Sequence, residues 1–366
     1  MDVSIKVPQL ASPDVPAPSE IKQQRVTLPE GFSINPNAAD GKVVCTDEQG
    51  AFGTTEEAHC PEQSKVGTAV LDSSTLPSPI TGAIYLGESL PSDKYRLFLT
   101  ADGYGTHVKL AGSVTPDPKS GQISVEFVNL PQSPFSEFNL HFFGSERGLL
   151  ATPTSCGTFQ VHSEFVPWDE ALGILRTTSY FSLSSGPEGS SCPGPERLFN
   201  PTLEAGTLNS TAAAHTPMVL RVRRRDGEQN VAQFAATLPS GLLASLRGVA
   251  YCPESALSEL SNPSHSGIAE LTSPACPASS RVGGVVAEVG AGTHPLTTQG
   301  QAYLAGPYKG APLSLVVVVP AVSGPYDLGN AVVRSAIDVD PVTADISARS
   351  DKFPQILEGI PLRLRS

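Results

Sequence analysis

The side chains able to do chemistry in this chain are few, and their spacing narrows what they do. Six cysteines, Cys45, Cys60, Cys156, Cys192, Cys252 and Cys276, could ligate a metal, act as nucleophiles or pair oxidatively. None lies in a CxxC pair, and none stands near a histidine at the spacing of a zinc site. His59 and Cys60 are adjacent, but neighbouring side chains on a strand face opposite ways and do not readily chelate one ion. Disulfide pairing is the better reading, and it implies an oxidising compartment. Sequence proximity suggests Cys45 with Cys60 and Cys252 with Cys276. Cys156 with Cys192 follows by elimination only, because six cysteines allow many connectivities.

The motifs of nucleophilic, metal-dependent and phosphate-binding enzymes are missing: there is no GxSxG elbow, no HExxH and no GxxxxGK[ST]. The seven histidines stand singly. His107, in GTHVKL, and His141, in NLHFF, fall on predicted strands and read as strand-face or core residues rather than general bases. His59, His162, His215, His265 and His294 sit in loops or at strand ends, with no other motif residue converging on them. Asp102, Asp117, Asp327, Asp338 and Asp340 are the acidic candidates for an oxygen-rich calcium loop. The alternating rhythm of an EF-hand is absent, and Asp117 and Asp340 precede prolines, where a short carboxylate caps a turn. The sequence therefore assigns no catalytic residue, no metal ligand and no cofactor, and the expectation is a protein that is not an enzyme.

The elements carrying these residues are set by composition and punctuation. The chain has 33 glycines and 34 prolines among 366 residues, roughly 18% together, against about 12% in average usage. That excess disfavours long helices, since proline removes a donor and glycine adds backbone entropy to be lost. Disorder is disfavoured as well, because only 16% of residues are charged while 39% are hydrophobic. A net charge of -12 gives no attraction for phosphate backbones, so nucleic acid is not an expected partner. The basic run Arg221, Arg223, Arg224 and Arg225 reads as the solvated face of a strand whose Met218, Leu220 and Val222 point inward. No apolar run approaches the length of a membrane-spanning helix, the longest being Leu313 to Val319, so no membrane insertion is expected. The start, MDVSIKVPQL, has no signal-peptide pattern. Set against the cysteine reading, this suggests a fragment of a longer exported protein.

Internal repetition organises the rest. Thr27-Leu28-Pro29-Glu30-Gly31 recurs as Thr237-Leu238-Pro239-Ser240-Gly241, and CPEQSKVG from Cys60 recurs as CPASSRVG from Cys276. Gly82-Ala83-Ile84-Tyr85-Leu86 recurs as Gly300-Gln301-Ala302-Tyr303-Leu304, and Pro131-Gln132 as Pro354-Gln355. The matches keep their order, which predicts a duplicated module. Within each copy the signals are strands and hairpins: YRLFLT, THVKLAGSV and QISVEF in the first, and LSLVVVVP, Val332 to Val339 and DISARS in the second. LSLVVVVP reads as a strand covered on both faces. Between the copies, SYFSLSS, FNPTLEAG, PMVLRVR and NVAQFAATL suggest a small immunoglobulin-like sandwich. Trp168 falls at the junction and reads as a partly buried anchor.

The expected fold is all-β, with tandem β-sandwich or β-barrel-like modules and an immunoglobulin-like sandwich between two homologous repeats. Residues 1–26 would be terminal strands of a preceding sandwich, 27–168 the first module, 173–236 the immunoglobulin-like segment and 237–366 the second module. CPEQSKVG, GAIYLGE, QAYLAGPYKGAPLSLVVVVPA, VTPDPKSGQISVEFVNLPQSPFSEFNLHFFG and FPQILEGIPLRLRS resemble large repetitive secreted or surface proteins of soil actinobacteria. Members of that group mostly lack an assigned function, so the resemblance implies an exported, modular β architecture and transfers no catalytic residue. The function expected is a structural or adhesive segment of an extracellular or cell-surface repeat protein, its partners being the neighbouring modules of a longer chain. The alternatives are a module that binds a surface glycan or a protein and, third, a hydrolase whose site is not visible in sequence.

Overall fold

Dense proline and glycine punctuation leaves strands as the dominant element: 45% of the residues are in strands and 7% in helices. The computed structural model describes residues 1–8, 18–145, 147–194, 196–262 and 264–366. Residues 9–17 of the segment expected as terminal strands, and Pro195 within the expected immunoglobulin-like segment, lie outside the described residues. The chain forms two compact units, 1–185 and 186–366.

The first unit holds β1 (Asp2–Lys6), β2 (Ile21–Thr27), β3 (Ser33–Ile34), β4 (Lys65–Asp72), β5 (Ile80–Gly87), β6 (Tyr95–Gly103), β7 (Thr106–Pro116), β8 (Ile123–Phe127), β9 (Glu137–Phe142), β10 (Leu150–Ala151), β11 (Gly157–Pro167) and β12 (Leu175–Leu183). Ten of these form one sheet in the order β1-β9-β4-β5-β6-β7-β8-β2-β11-β12, with β3 and β10 paired apart. β6 is its spine: Tyr95 through Ala101 are all buried, so YRLFLT is covered on both faces. Hairpin corners are made where carboxylates replace the missing backbone partner. Asp117 Oδ1 accepts from the amides of Lys119 and Ser120 at 2.9 and 2.7 Å between β7 and β8. Those amide donors hold the Asp117 carboxyl below its ordinary range.

The second unit holds β13 (Thr202–Thr207), β14 (Met218–Arg223), β15 (Ala235–Thr237), α1 (Glu254–Leu260), α2 (Gly267–Thr272), β16 (Arg281–Val289), β17 (Leu296–Ala305), β18 (Leu313–Ser323), β19 (Tyr326–Val339), β20 (Ile346–Ser350), β21 (Ile356–Leu357) and β22 (Ile360–Pro361). Its main sheet runs β15-β20-β19-β18-β17-β16. The central six strands of the first sheet, read β2-β8-β7-β6-β5-β4, have the same order and the same antiparallel pairing. Details recur with it. Asp340 Oδ1 accepts from the amides of Val342 and Thr343 as Asp117 does from its own turn. Ser64 and Ser280, both fully buried, donate their hydroxyls to the carbonyls of Pro61 and Pro277. In β18, Val316, Val318 and Val319 are buried and Leu315 and Val317 half-buried, so one face is packed more deeply than the continuous apolar run suggests.

Two stretches of the expected map lie elsewhere. Segment 1–26 is integral to the first sheet, because β1 pairs with β9 and β2 lies between β8 and β11. The expected immunoglobulin-like segment, 173–236, is divided. Leu175–Leu183 follows a tight connection at Gly173 (φ 71°) and folds straight back on Gly157–Pro167 as β12. β13 and β14 pair only with each other, and Ala235–Thr237 joins the second sheet. Alternation in β14 is as the sequence reads, with Met218, Leu220 and Val222 on one face, yet Met218 and Leu220 stay exposed. Arg224 leaves that rhythm: it is buried, and its guanidinium donates to the carbonyls of Leu364, Arg225 and Glu228.

The β18–β19 turn carries a pH liability. Tyr326 is buried, and burial pushes its hydroxyl well above the ordinary tyrosine value. The unfolded chain would release this proton near pH 10, while the fold retains it. The stability so gained is complete below about pH 10 and is lost as pH rises beyond it, by about 1.4 kcal/mol per pH unit. Urea midpoints at pH 9 and 11 should therefore fall further for the parent than for Tyr326→Phe.

Candidate functional site

Three arrangements have the right chemistry to be sites: the cysteine straps, the histidine–carboxylate pairs and an apolar cavity. Cys45–Cys60 and Cys252–Cys276 are disulfides with Cα separations of 5.0 and 5.1 Å. Cys156 and Cys192 are disulfide-bonded too, and there is no free thiol among the described residues. In each unit the first cysteine lies along the strand that matches GAIYL: the Cys45 amide donates to the Leu86 carbonyl and the Cys252 amide to the Leu304 carbonyl, both at 2.8 Å.

An ion pair closes each strap, and its acid stands two residues beyond the first cysteine. Arg96 Nη2 lies 2.9 Å from Asp47 Oδ1, with its guanidinium over the Phe98 ring. Arg334 grips Glu254 with both terminal nitrogens, at 2.7 and 3.0 Å, donates through Nε to Ser314 Oγ and stacks on Tyr308. Hydrogen bonding from Arg334 holds the Glu254 carboxyl below its usual range. The arginine comes from β6 in the first unit and from β19 in the second, so the device is shared while its supplier has moved one strand. Between the cysteines the first unit has turns, pinned by Lys109 Nζ donating to the carbonyls of Ala51, Thr54 and Glu56, with Phe52 edge-on to Phe98. The second has α1 and α2, and α1 places Ala256, Leu257 and Leu260 on Tyr303, Val316 and Val318.

The histidines do not converge. His107 Nδ1 is 2.7 Å from Asp102 Oδ1 across the β6–β7 hairpin, where the two residues are directly opposed. His141 pairs with Asp2 at an exposed sheet edge. His265 Nε2 lies 3.1 Å from Glu270 Oε2, which also accepts from the Ala275 amide, and Glu270 is only 3% exposed. None of these pairs has a serine or cysteine nucleophile in hydrogen-bond contact with its imidazole among the described residues. Asp327 caps α2, accepting from the amides of Gly267 and Ile268. No three His, Cys, Asp or Glu side chains cluster as metal ligands among the described residues.

The cavity belongs to the first unit. Ile5 on β1 and Gln24 on β2 end an eight-strand run of the sheet, yet both line one space of about 140 Å³, so the sheet curls around it. Register explains the lining: Ile5 opposes Phe138, Phe138 opposes Leu71, Leu99 opposes Leu110 and Gln24 opposes Phe127. The segment at Pro131–Phe135 closes one side, held by Ser73 Oγ donating to the Pro134 carbonyl at 2.6 Å. Trp168 braces the same segment from outside, half-buried, its Nε1 donating to the Leu130 carbonyl. A second, wetter depression of about 340 Å³ is bordered by Lys42 and Arg147, which already face the Lys65 carbonyl and Asp40.

No known relative decides among these arrangements. No family model matches the chain, and neither a curated protein nor a solved structure does. Sequence reading missed the cavity, because its lining is contributed in ones and twos by strands far apart in the chain. It also missed α1 and α2. Their signals were present: Pro253 and Glu254 opening a run with apolar Ala256, Leu257 and Leu260, and Ser266 capping the Ala269 amide.

Proposed function

We propose that this chain is a non-enzymatic structural or adhesive segment of an exported cell-surface repeat protein, built from two related β-modules. The observation that carries this is the recurrence, in each unit, of one six-strand order together with a disulfide strap, a buried serine turn and a strap-closing arginine. A frame repeated from module to module would need each of these parts in every copy. Disulfides suit an oxidising exterior, where a closed loop restricts the unfolded ensemble by about 3 kcal/mol. No helix is long and apolar enough to cross a membrane among the described residues. The resemblance to repetitive surface proteins of actinobacteria supports the same reading, with neighbouring modules as partners. Stretched by its ends, a single molecule should unfold in two separate events, one per unit; gradual extension without discrete events would overturn the proposal.

A further inference from the structure

The cavity inside the first sheet contains a feature that a load-bearing frame does not require. Its wall is mostly aliphatic and aromatic, with Leu71, Leu99, Leu110, Phe127 and Phe138 among its side chains, while Ser73, Thr75, Thr106 and Ser133 also border it. Gln24, also in the wall, is 9% exposed, and its side-chain amide has no hydrogen-bond partner among the described residues. Gln24 is the one carboxamide on this wall among the described residues, and a position opposite Phe127 in a mostly apolar lining would ordinarily carry an apolar residue.

We propose that this cavity binds a neutral single-ring aromatic alcohol, a molecule of the phenol class, with its hydroxyl on the Gln24 amide. Size sets the first limit: apolar cavities of about 150 Å³ stay dry and accept a benzene-sized molecule. Charge sets the second. Among the described residues no lysine, arginine, histidine, aspartate or glutamate lines the space, so an ionised ligand would lose its hydration without a counter-charge from them. Phe127, Phe135 and Phe138 offer ring edges and faces that favour an aromatic guest over an aliphatic one. One hydroxyl both donates and accepts, as does the amide, so a single polar group on the guest satisfies Gln24.

Phenol and benzene, titrated separately into the whole chain, test the proposal, with the side-chain amide of Gln24 and the methyls of Leu99 and Leu110 followed by NMR. Phenol should shift all three sets of signals and bind about tenfold more tightly than benzene, the difference worth one well-made hydrogen bond. In Gln24→Leu, phenol should weaken to the level of benzene while benzene binding persists. Equal affinity of phenol and benzene for the parent would overturn the proposal without recourse to any variant. So would the absence of methyl shifts with either compound, or undiminished phenol binding in Gln24→Leu.

Discussion

Alanine at Gly82 is expected to destabilise the first unit by about 3 kcal/mol or more, an unusually large effect for one added methyl group. Gly82 lies in β5, paired with Ala69 on β4 and Ala101 on β6. A Cβ there would collide with the carbonyl of Thr100, which is backbone in the centre of a sheet and has nowhere to move. The matched glycine of the second unit, Gly300, faces the carbonyl of Val318 in the same way, and its alanine variant should behave alike. Gly67 and Gly283 form the informative contrast. They match in sequence, but β9 runs beside Gly67 while β16 ends the second sheet at Gly283. A Cβ on Gly67 meets the His141 carbonyl, whereas one on Gly283 finds only Ala302 Cβ at an ordinary 3.8 Å. Gly283→Ala should therefore stay within about 0.5 kcal/mol of the parent. Denaturant midpoints of the four variants check this, and a large loss at Gly283 or none at Gly82 and Gly300 would refute it.

Removing the Cys252–Cys276 bridge, by alanine at both positions, should cost the second unit about 3 kcal/mol. The closed segment spans 24 residues and carries α1 and α2, of which α1 covers Val316 and Val318. Helices this short have little stability of their own, so the bridge is what keeps them on the sheet once the unit begins to open. Loss of Cys45–Cys60, closing 15 residues, should cost the first unit a comparable amount. Thermal melts with and without reductant report both, and melts indifferent to reductant would contradict the role given to the straps.

Much of the fold is legible in the residues. YRLFLT, THVKLAGSV and QISVEF lie in β6, β7 and β8, and Asp117 and Asp340 cap the turns where their prolines place them. Cys45–Cys60 and Cys252–Cys276 pair as their proximity suggests. What escapes is long-range. Nothing local says that β1, at the beginning of the chain, pairs with β9 more than a hundred residues on, or that β2 closes against β8 and β11. Strand periodicity gives a face, not a neighbour. The same limit hid the cavity, whose wall exists only once those distant strands curl together. In the 173–236 segment, alternation in β14 gives the two faces and leaves open what covers them.

A structural role requires each unit to be a disulfide-strapped module that bears load as one body. Single-molecule stretching of the whole chain, oxidised and then reduced, tests that directly. Oxidised molecules should give two discrete unfolding events. Reduction should lower both unfolding forces and add the length the straps had withheld, about 50 Å for Cys45–Cys60 and about 80 Å for Cys252–Cys276. Equal forces and lengths in the two states, or a smooth extension without events in either, would contradict it.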